Sequence, residues 1–380
     1  MNKILFIFGT RPEAIKMAPL ILEFKKHSDF FNIEICLTGQ HRQMLDQVNG
    51  FFGIISDYDL NLMTQNQSLA EFTARSIEKL DPIVKSSKPN LIFVQGDTTT
   101  VLAGALVAYY NKIPIAHLEA GLRSGNKYSP FPEEINRKIA AQLSEWHFAP
   151  TLGTAENLKK EGINKNIFVV GNTIIDALLL GLKLIKQQDE IEYKEYFKFL
   201  NFNKRIVLIT GHRRESFGLG FENICYAIKD LANTFSNVEF VYPVHLNPNV
   251  RDPVNRILSG CNNIHLIKPL DYPKMIWIMD KSYYILTDSG GIQEEAPALG
   301  KPVLVMREVT ERIEGVESGS AKLVGVNREK IYNESKILLK NKMVYEEMSK
   351  KNNPYGDGKT SERIVTILLE YFKNHEEIYS

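Results

Sequence analysis

The chain has 380 residues, and 46 Lys and Arg against 45 Asp and Glu leave a formal net charge of +1. At roughly 150 residues per domain this length predicts two domains, and the 44% hydrophobic and 24% charged fractions are those of a globular protein. A disordered chain, a collagen-like chain and a small disulfide scaffold are excluded, as is nucleic-acid or membrane-surface binding driven by bulk charge.

Short apolar runs rich in Ile and Val recur along the chain. The first set is Ile4–Phe8, Ile33–Leu37, Leu91–Val94, Ile113–Leu118, Trp146–Ala149 and Ile167–Val170. The second is Ile206–Ile209, Val238–Val241, Ile264–Ile267, Tyr283–Leu286, Val303–Val305 and Leu323–Val326. Runs this short, apolar on both faces, predict buried parallel strands, and the segments between them suit crossover helices. The pattern is βαβα, twice over. No strand signal appears in 173–204, so a first domain is expected over 1–171 and a second over 172–360, with a helical, polar connector over about 172–204. From Ser361 the apolar stripe Ile364, Ile367, Leu368 and Tyr371 predicts a terminal helix.

The N-terminal apolar run is too short for a leader and reads as a strand. No apolar stretch approaches the ~18 residues a membrane span needs, so a cytoplasmic protein is expected. Cys36, Cys225 and Cys261 form no CxxC pair, which argues against a disulfide framework or a zinc site.

In open α/β sheets, ligands bind beyond the carboxyl ends of the strands, and there the chain is unusually polar. The first run ends Gly9-Thr10-Arg11-Pro12-Glu13, followed by Lys16. Pro12 suits a first helical turn, and Arg11 or Lys16 suits an anion there. The third run ends Gly96-Asp97-Thr98, where Asp97 is also a candidate helix cap. The fourth ends His117-Leu118-Glu119, and strand alternation would put His117 and Glu119 on one face. Pro132 opens a helix on which Glu133 and Arg137 are spaced i, i+4. Three carboxylates at neighbouring sites, Asp97, Glu119 and Glu133, suit proton transfer at carbon.

In the second half, Gly211-His212-Arg213-Arg214 at a strand end favours a diphosphate. Ser289-Gly290-Gly291 at a helix start offers backbone N–H groups to phosphate, and Glu295 lies about one turn on, placed to accept ribose hydroxyls. Other readings fail. Gly356-Asp357-Gly358-Lys359-Thr360 lacks the earlier glycine of a phosphate loop, because that position is Asn353. The first strand is not followed by GxGxxG, Ser289 has no nucleophile elbow, and the HxE spacing has no PCxxC partner.

Together these segments resemble the non-hydrolysing UDP-N-acetylglucosamine 2-epimerases. FGTRPEAIKMAPL, TGQHRQMLDQV, GDTTT, HLEAGLRSG, PFPEEINR, GNTIIDAL, TGHRRESFG, YPVHLNPNV, LTDSGGIQEEAPALGKPVLVMR, TERIEG and NPYGDG carry the likeness, in order, over nearly the whole chain. The resemblance implies an α/β fold of two Rossmann-like domains facing across a cleft, as in GT-B glycosyltransferases, with the C-terminal helix crossing back to the first domain. It implies a homodimer and no added cofactor or metal. The implied reaction converts UDP-N-acetylglucosamine to UDP-N-acetylmannosamine through loss of UDP, a 2-acetamidoglucal, and re-addition. By resemblance, Asp97, Glu119 and Glu133 supply the proton donors and acceptors, with Arg137 close to Glu133. Arg11, Lys16, His212 and Arg213 hold the leaving diphosphate with Ser289, Gly290 and Gly291, while Glu295 and Arg312 contact the nucleoside. Many members carry an aromatic residue near the uracil where this chain has Met275. Gln40, Gln43, Arg213 and His245 correspond to a site where some members bind a second UDP-N-acetylglucosamine as activator. The alternatives are a related UDP-2-acetamido sugar, a hydrolysing epimerase, a GT-B glycosyltransferase and a silent UDP-sugar sensor.

Overall fold

The computed structural model describes residues 1–39, 42–64 and 67–375. The chain forms two compact units: Met1–Ala177 with the segment from Tyr355 onward, and Leu178–Pro354.

The first unit is a seven-stranded parallel sheet. Its strands are β1 (Asn2–Phe8), β2 (Phe31–Leu37), β3 (Tyr58–Asp59), β4 (Leu91–Gln95), β5 (Ile115–Leu118), β6 (Trp146–Ala149) and β7 (Ile167–Val169). They lie in the order β3-β2-β1-β4-β5-β6-β7. Among the described residues, the crossovers are made by α1 (Arg11–Lys25), α2 (Arg42–Phe52), α3 (Leu69–Ser87), α4 (Thr99–Tyr110), α5 (Glu133–Leu143) and α6 (Leu152–Lys160). Burial of both sheet faces explains the near-continuous apolar runs: Ile4 to Ile7 and Leu91 to Val94 are all at most 1% exposed. Phe6 stacks on Phe93 with centroids 4.9 Å apart, and Phe24 of α1 meets both rings. After β7, α7 (Thr173–Gln187) carries the chain into the second unit.

The second unit is a six-stranded parallel sheet. In chain order it contains α8 (Ile191–Tyr196), β8 (Arg205–Thr210), α9 (Leu219–Thr234), β9 (Val238–Pro243), α10 (Pro248–Leu258), β10 (Ile264–Ile267) and α11 (Tyr272–Lys281). There follow β11 (Tyr284–Thr287), α12 (Gly290–Ala298), β12 (Val303–Val305), α13 (Ile313–Glu317), β13 (Ala321–Leu323), α14 (Arg328–Lys340) and α15 (Lys342–Ser349). The strand order is β10-β9-β8-β11-β12-β13. The terminal helix α16 (Thr360–Asn374) then packs in the first unit, with Tyr371 edge-on to Trp146 at 4.6 Å and Phe372 against Phe31.

Two strand expectations need correction. β3 pairs through only two residues and carries no apolar run to betray it. The last strand is Ala321–Leu323, not Leu323–Val326: Gly325, at φ +64°, turns the chain away, and buried Val324 follows the strand. Among the described residues no helix is long and apolar enough to cross a membrane. All three cysteines are free, and burial pushes the Cys36 and Cys225 thiols up to about 12.

Each sheet reverses its winding direction once, between β1 and β4 and between β8 and β11. Those switch points, at the carboxyl ends of the strands, are where doubly wound sheets hold ligands.

Candidate functional site

At the first switch point, β1 runs into Gly9 and Thr10. A Cβ on Gly9 would come within 1.9 Å of the Thr38 hydroxyl oxygen, so only glycine lets the chain pass there. The turn is then pinned by Glu13 of α1. Its Oε2 accepts the N–H groups of Gly9 (2.9 Å) and Thr10 (2.7 Å), and its Oε1 accepts the Thr98 hydroxyl (2.6 Å). Burial pushes the Glu13 carboxyl above the usual range against these bonds. Arg11 stands at the start of α1, half-buried, with no ion pair among the described residues.

Lys16, one turn further along α1, points to the end of β5. Its ammonium lies 2.6 Å from both oxygens of Glu119. This pair is nearly enclosed, with side-chain exposures of 13% and 7%. Gln95 donates to Glu119 Oε2, and Asn172 donates to Oε1 at 3.0 Å. Glu119 itself sits at φ +63°. That left-handed conformation costs a non-glycine residue on the order of 1 kcal/mol or more and persists where its surroundings over-determine it. Strand alternation therefore ends at Leu118. His117 turns into the sheet, fully buried, with its Nε2 2.8 Å from the Gly96 carbonyl oxygen.

Asp97 is not the cap of α4; Thr98 is. The Asp97 carboxylate is thereby left to pair with the Arg137 guanidinium, while Asn136 donates to the Asp97 carbonyl oxygen at 3.0 Å. Burial raises the Asp97 carboxyl above its ordinary value. Arg137 opposes that, and Glu119 adds to it. The expected Glu133–Arg137 pair is not formed. Arg137 turns instead to Asp97 and, at 3.4 Å, to fully buried Glu134. Glu134 also accepts the N–H groups of Ser124 and Gly125. Glu133 occupies the first helical position of α5, half-buried.

At the second switch point, β8 runs into Gly211, His212 and Arg213. Buried Asp288, just beyond β11, accepts the N–H groups of His212 (2.6 Å) and Arg213 (2.8 Å) through Oδ2. Its Oδ1 lies 3.6 Å from His212 Nδ1. Burial lowers the His212 pKa, with the Asp288 carboxylate opposing. His212 stacks on His245, centroids 5.2 Å apart. Ser289, Gly290 and Gly291 form the first turn of α12, and no side chain caps it. Arg312 lies over that turn, where a Cβ on Gly290 would sit 3.0 Å from its guanidinium carbon. Glu294 holds the same guanidinium by a 2.9 Å bond to Nε. Glu295 interacts with the Tyr272 phenol, whose ionisation is pushed well up by burial and then by this carboxylate. Met275, on α11, is half-buried. Of the proposed activator residues, His245 is exposed beyond β9. Gln40 and the side chain of Gln43 lie outside the described residues.

A family profile described as UDP-N-acetylglucosamine 2-epimerase matches residues 23–369. The chain belongs to that family. It is 51% identical over 372 residues to the UDP-N-acetylglucosamine 2-epimerase of Salmonella typhimurium, covering 97% of this chain and 99% of that one. Its structure resembles the crystal structure of the UDP-GlcNAc 2-epimerase from Neisseria meningitidis bound to UDP-GlcNAc (TM-score 0.90, 49% identity, 97% and 100% of the two chains). It also resembles the Methanocaldococcus jannaschii UDP-GlcNAc 2-epimerase in complex with UDP-GlcNAc and UDP (TM-score 0.79, 35% identity, 97% and 99%). The GT-B-like fold class of these epimerases is that of the present chain.

Within this epimerase framework the structure adds residues that sequence reasoning passed over. Glu13, Gln95, Asn172, Glu134, Asp288, Glu294 and Tyr272 all hold a predicted site residue or its loop. Most lie inside segments that carry the family likeness. Their polar side chains next to apolar strands were the available signal.

Proposed function

We propose that the chain inverts C2 of UDP-N-acetylglucosamine reversibly, giving UDP-N-acetylmannosamine without net hydrolysis and without an added cofactor. The observation that carries this reading is the pair of carboxylates at the first switch point. Glu119 is paired with Lys16, and neighbouring Asp97, paired with Arg137, is raised by burial above its ordinary value. Two carboxyl groups in contrasting environments are what a proton removal and a proton delivery require.

In the forward half, a carboxylate takes the C2 proton. The C1–O bond breaks, its electron pair leaving on the diphosphate of UDP, and a C1–C2 double bond forms in 2-acetamidoglucal. In the return half, a carboxylic acid delivers a proton to the opposite face of C2, and the UDP oxygen adds back to C1. Asp97, Glu119 and Glu133 serve these transfers, with Arg137 holding Asp97. The leaving diphosphate is stabilised by His212, Arg213, Arg11 and the N–H groups of Gly290 and Gly291 in the Ser289–Gly291 turn. Glu295 and Arg312 take the nucleoside, and Met275 packs on the base. A homodimer and a cytoplasmic location belong to the same reading, and light scattering of the purified chain tests the former.

Product analysis with UDP-N-acetylglucosamine alone tests the proposal. UDP-N-acetylmannosamine at equilibrium, with no accumulating UDP, is expected. Free UDP in step with turnover would point to a hydrolysing epimerase. Turnover only with an added acceptor would point to a glycosyltransferase.

A further inference from the structure

Asn172 lies between β7 and α7, just before the chain leaves the first unit. Three bonds fix it. Its Oδ1 accepts the N–H of Ile174 at 3.1 Å, in the manner of a helix cap. With the oxygen committed there, the amide can face Glu119 only with its nitrogen, and Nδ2 donates to Glu119 Oε1 at 3.0 Å. Its backbone N–H donates to the carbonyl of Tyr355 at 2.7 Å, where the chain re-enters the first unit. Asn172 is 4% exposed.

We infer that Asn172 is a positioning residue for the epimerisation: it fixes the Glu119 carboxylate in its left-handed, ion-paired pose and joins it to the two segments by which the chain leaves and re-enters the first unit. The inference rests on the role given to Glu119 above. The charged and titratable groups facing Glu119 are Lys16 from α1, Asp97 from the β4–α4 turn and His117 from β5. Gln95 and Asn172 are neutral donors to it. Asn172 thus supplies a neutral hydrogen bond to the oxygen Oε1 that it shares with the Lys16 ammonium, without adding charge.

Two substitutions separate positioning from capping. Asp and Ser both cap helices about as well as Asn, so Asn172→Asp and Asn172→Ser keep the bond to Ile174, and both keep the backbone bond to Tyr355. Asn172→Asp adds a carboxylate beside Glu119, which disfavours the Glu119 anion. Asn172→Ser removes the donor without adding charge. Expected are thermal midpoints and UDP affinities close to those of the unaltered chain. For kcat, the fall is about tenfold for Ser and about a hundredfold for Asp. KM should change less than kcat. The acid limb of the kcat profile should move up by about one pH unit for Asp and stay near its place for Ser. Equal kcat and unmoved limbs in both variants, with Glu119→Gln inactive, would overturn the inference while leaving Glu119 in place. An active Glu119→Gln would instead remove the reading on which it rests. If Asn172→Asp does not fold, Asn172→Ser with unchanged kcat contradicts the positioning role by itself.

Discussion

The two switch points are built by the same device and carry different chemistry. In the first unit Glu13 accepts two consecutive backbone N–H groups, those of Gly9 and Thr10; in the second Asp288 accepts those of His212 and Arg213. Beneath each turn a pair of threonine hydroxyls joins neighbouring elements: Thr38 with Thr100 at 2.8 Å, and Thr210 with Thr287 at 2.6 Å. The difference lies in what the pinned turns present. The first gathers carboxylates, Asp97 and Glu119, each matched to a cation on a neighbouring helix. The second presents a histidine, arginines and an uncapped helix start. One end is equipped to move protons, the other to hold an anion. A pinned turn is thus a shared mounting, and function follows from the side chains mounted on it.

The largest effect is expected at Glu119. Glu119→Gln is expected to lower kcat by about 10²–10⁴-fold while UDP affinity, measured by calorimetry, stays within a few-fold. Loss of UDP binding with turnover retained would reverse the assignment of the two turns. Next come the pins themselves. Asp288→Asn turns a two-bond acceptor into a group that also carries donors, and each buried amide left unpaired costs about 1–3 kcal/mol. Weaker UDP binding by about tenfold or more is expected from the same magnitude. Glu13→Gln should lower the unfolding midpoint comparably and reduce kcat, yet leave UDP affinity unchanged. Equal effects of the two on UDP binding would erase the division.

Acid sensitivity should be pronounced in the first unit. Burial holds His117 and His147 down to about 4, against 6.5 for an ordinary histidine. The unfolded chain therefore binds more protons than the folded one between those values, so stability falls as pH drops from about 6.5 to 4. Each histidine accounts for roughly 3 kcal/mol at completion. Glu13 and Asp97, raised by burial, act in the opposite sense by taking up protons in the folded state. Urea titrations at pH 7 and 4.5 should show a smaller acid loss in His117→Gln, which keeps a donor for Gly96 but does not titrate. An unchanged loss would remove His117 from the account. The smallest effect is expected at Met275. Met275→Phe should tighten UDP by about 0.5–1.5 kcal/mol, the gain from aromatic stacking, and leave kcat alone.

The sheets were legible in the sequence because strands buried on both faces must be apolar throughout. β3 was not, since Tyr58 and Asp59 form two rungs and no run. The strand-end residues of the site were legible as polar groups where apolar runs stop. What local spacing missed was which of them meet. Glu133 and Glu134 both lie within reach of Arg137 along a helix, at i+4 and i+3, and only the packing of α5 shows that Glu134 faces inward. Alternation placed His117 beside Glu119, but the strand ends at Leu118 and Glu119 bends to φ +63°. Asn172 is distant from Glu119 in sequence, and no local pattern reveals a bond made by tertiary folding.

The most direct test of the division between the turns is proton NMR of the purified chain with UDP-N-acetylglucosamine in deuterium oxide, without acceptor or added cofactor. UDP-N-acetylmannosamine carrying deuterium at C2 is expected. Epimer formed with the original proton retained at C2 would contradict solvent-exchanging carboxylates at the first switch point.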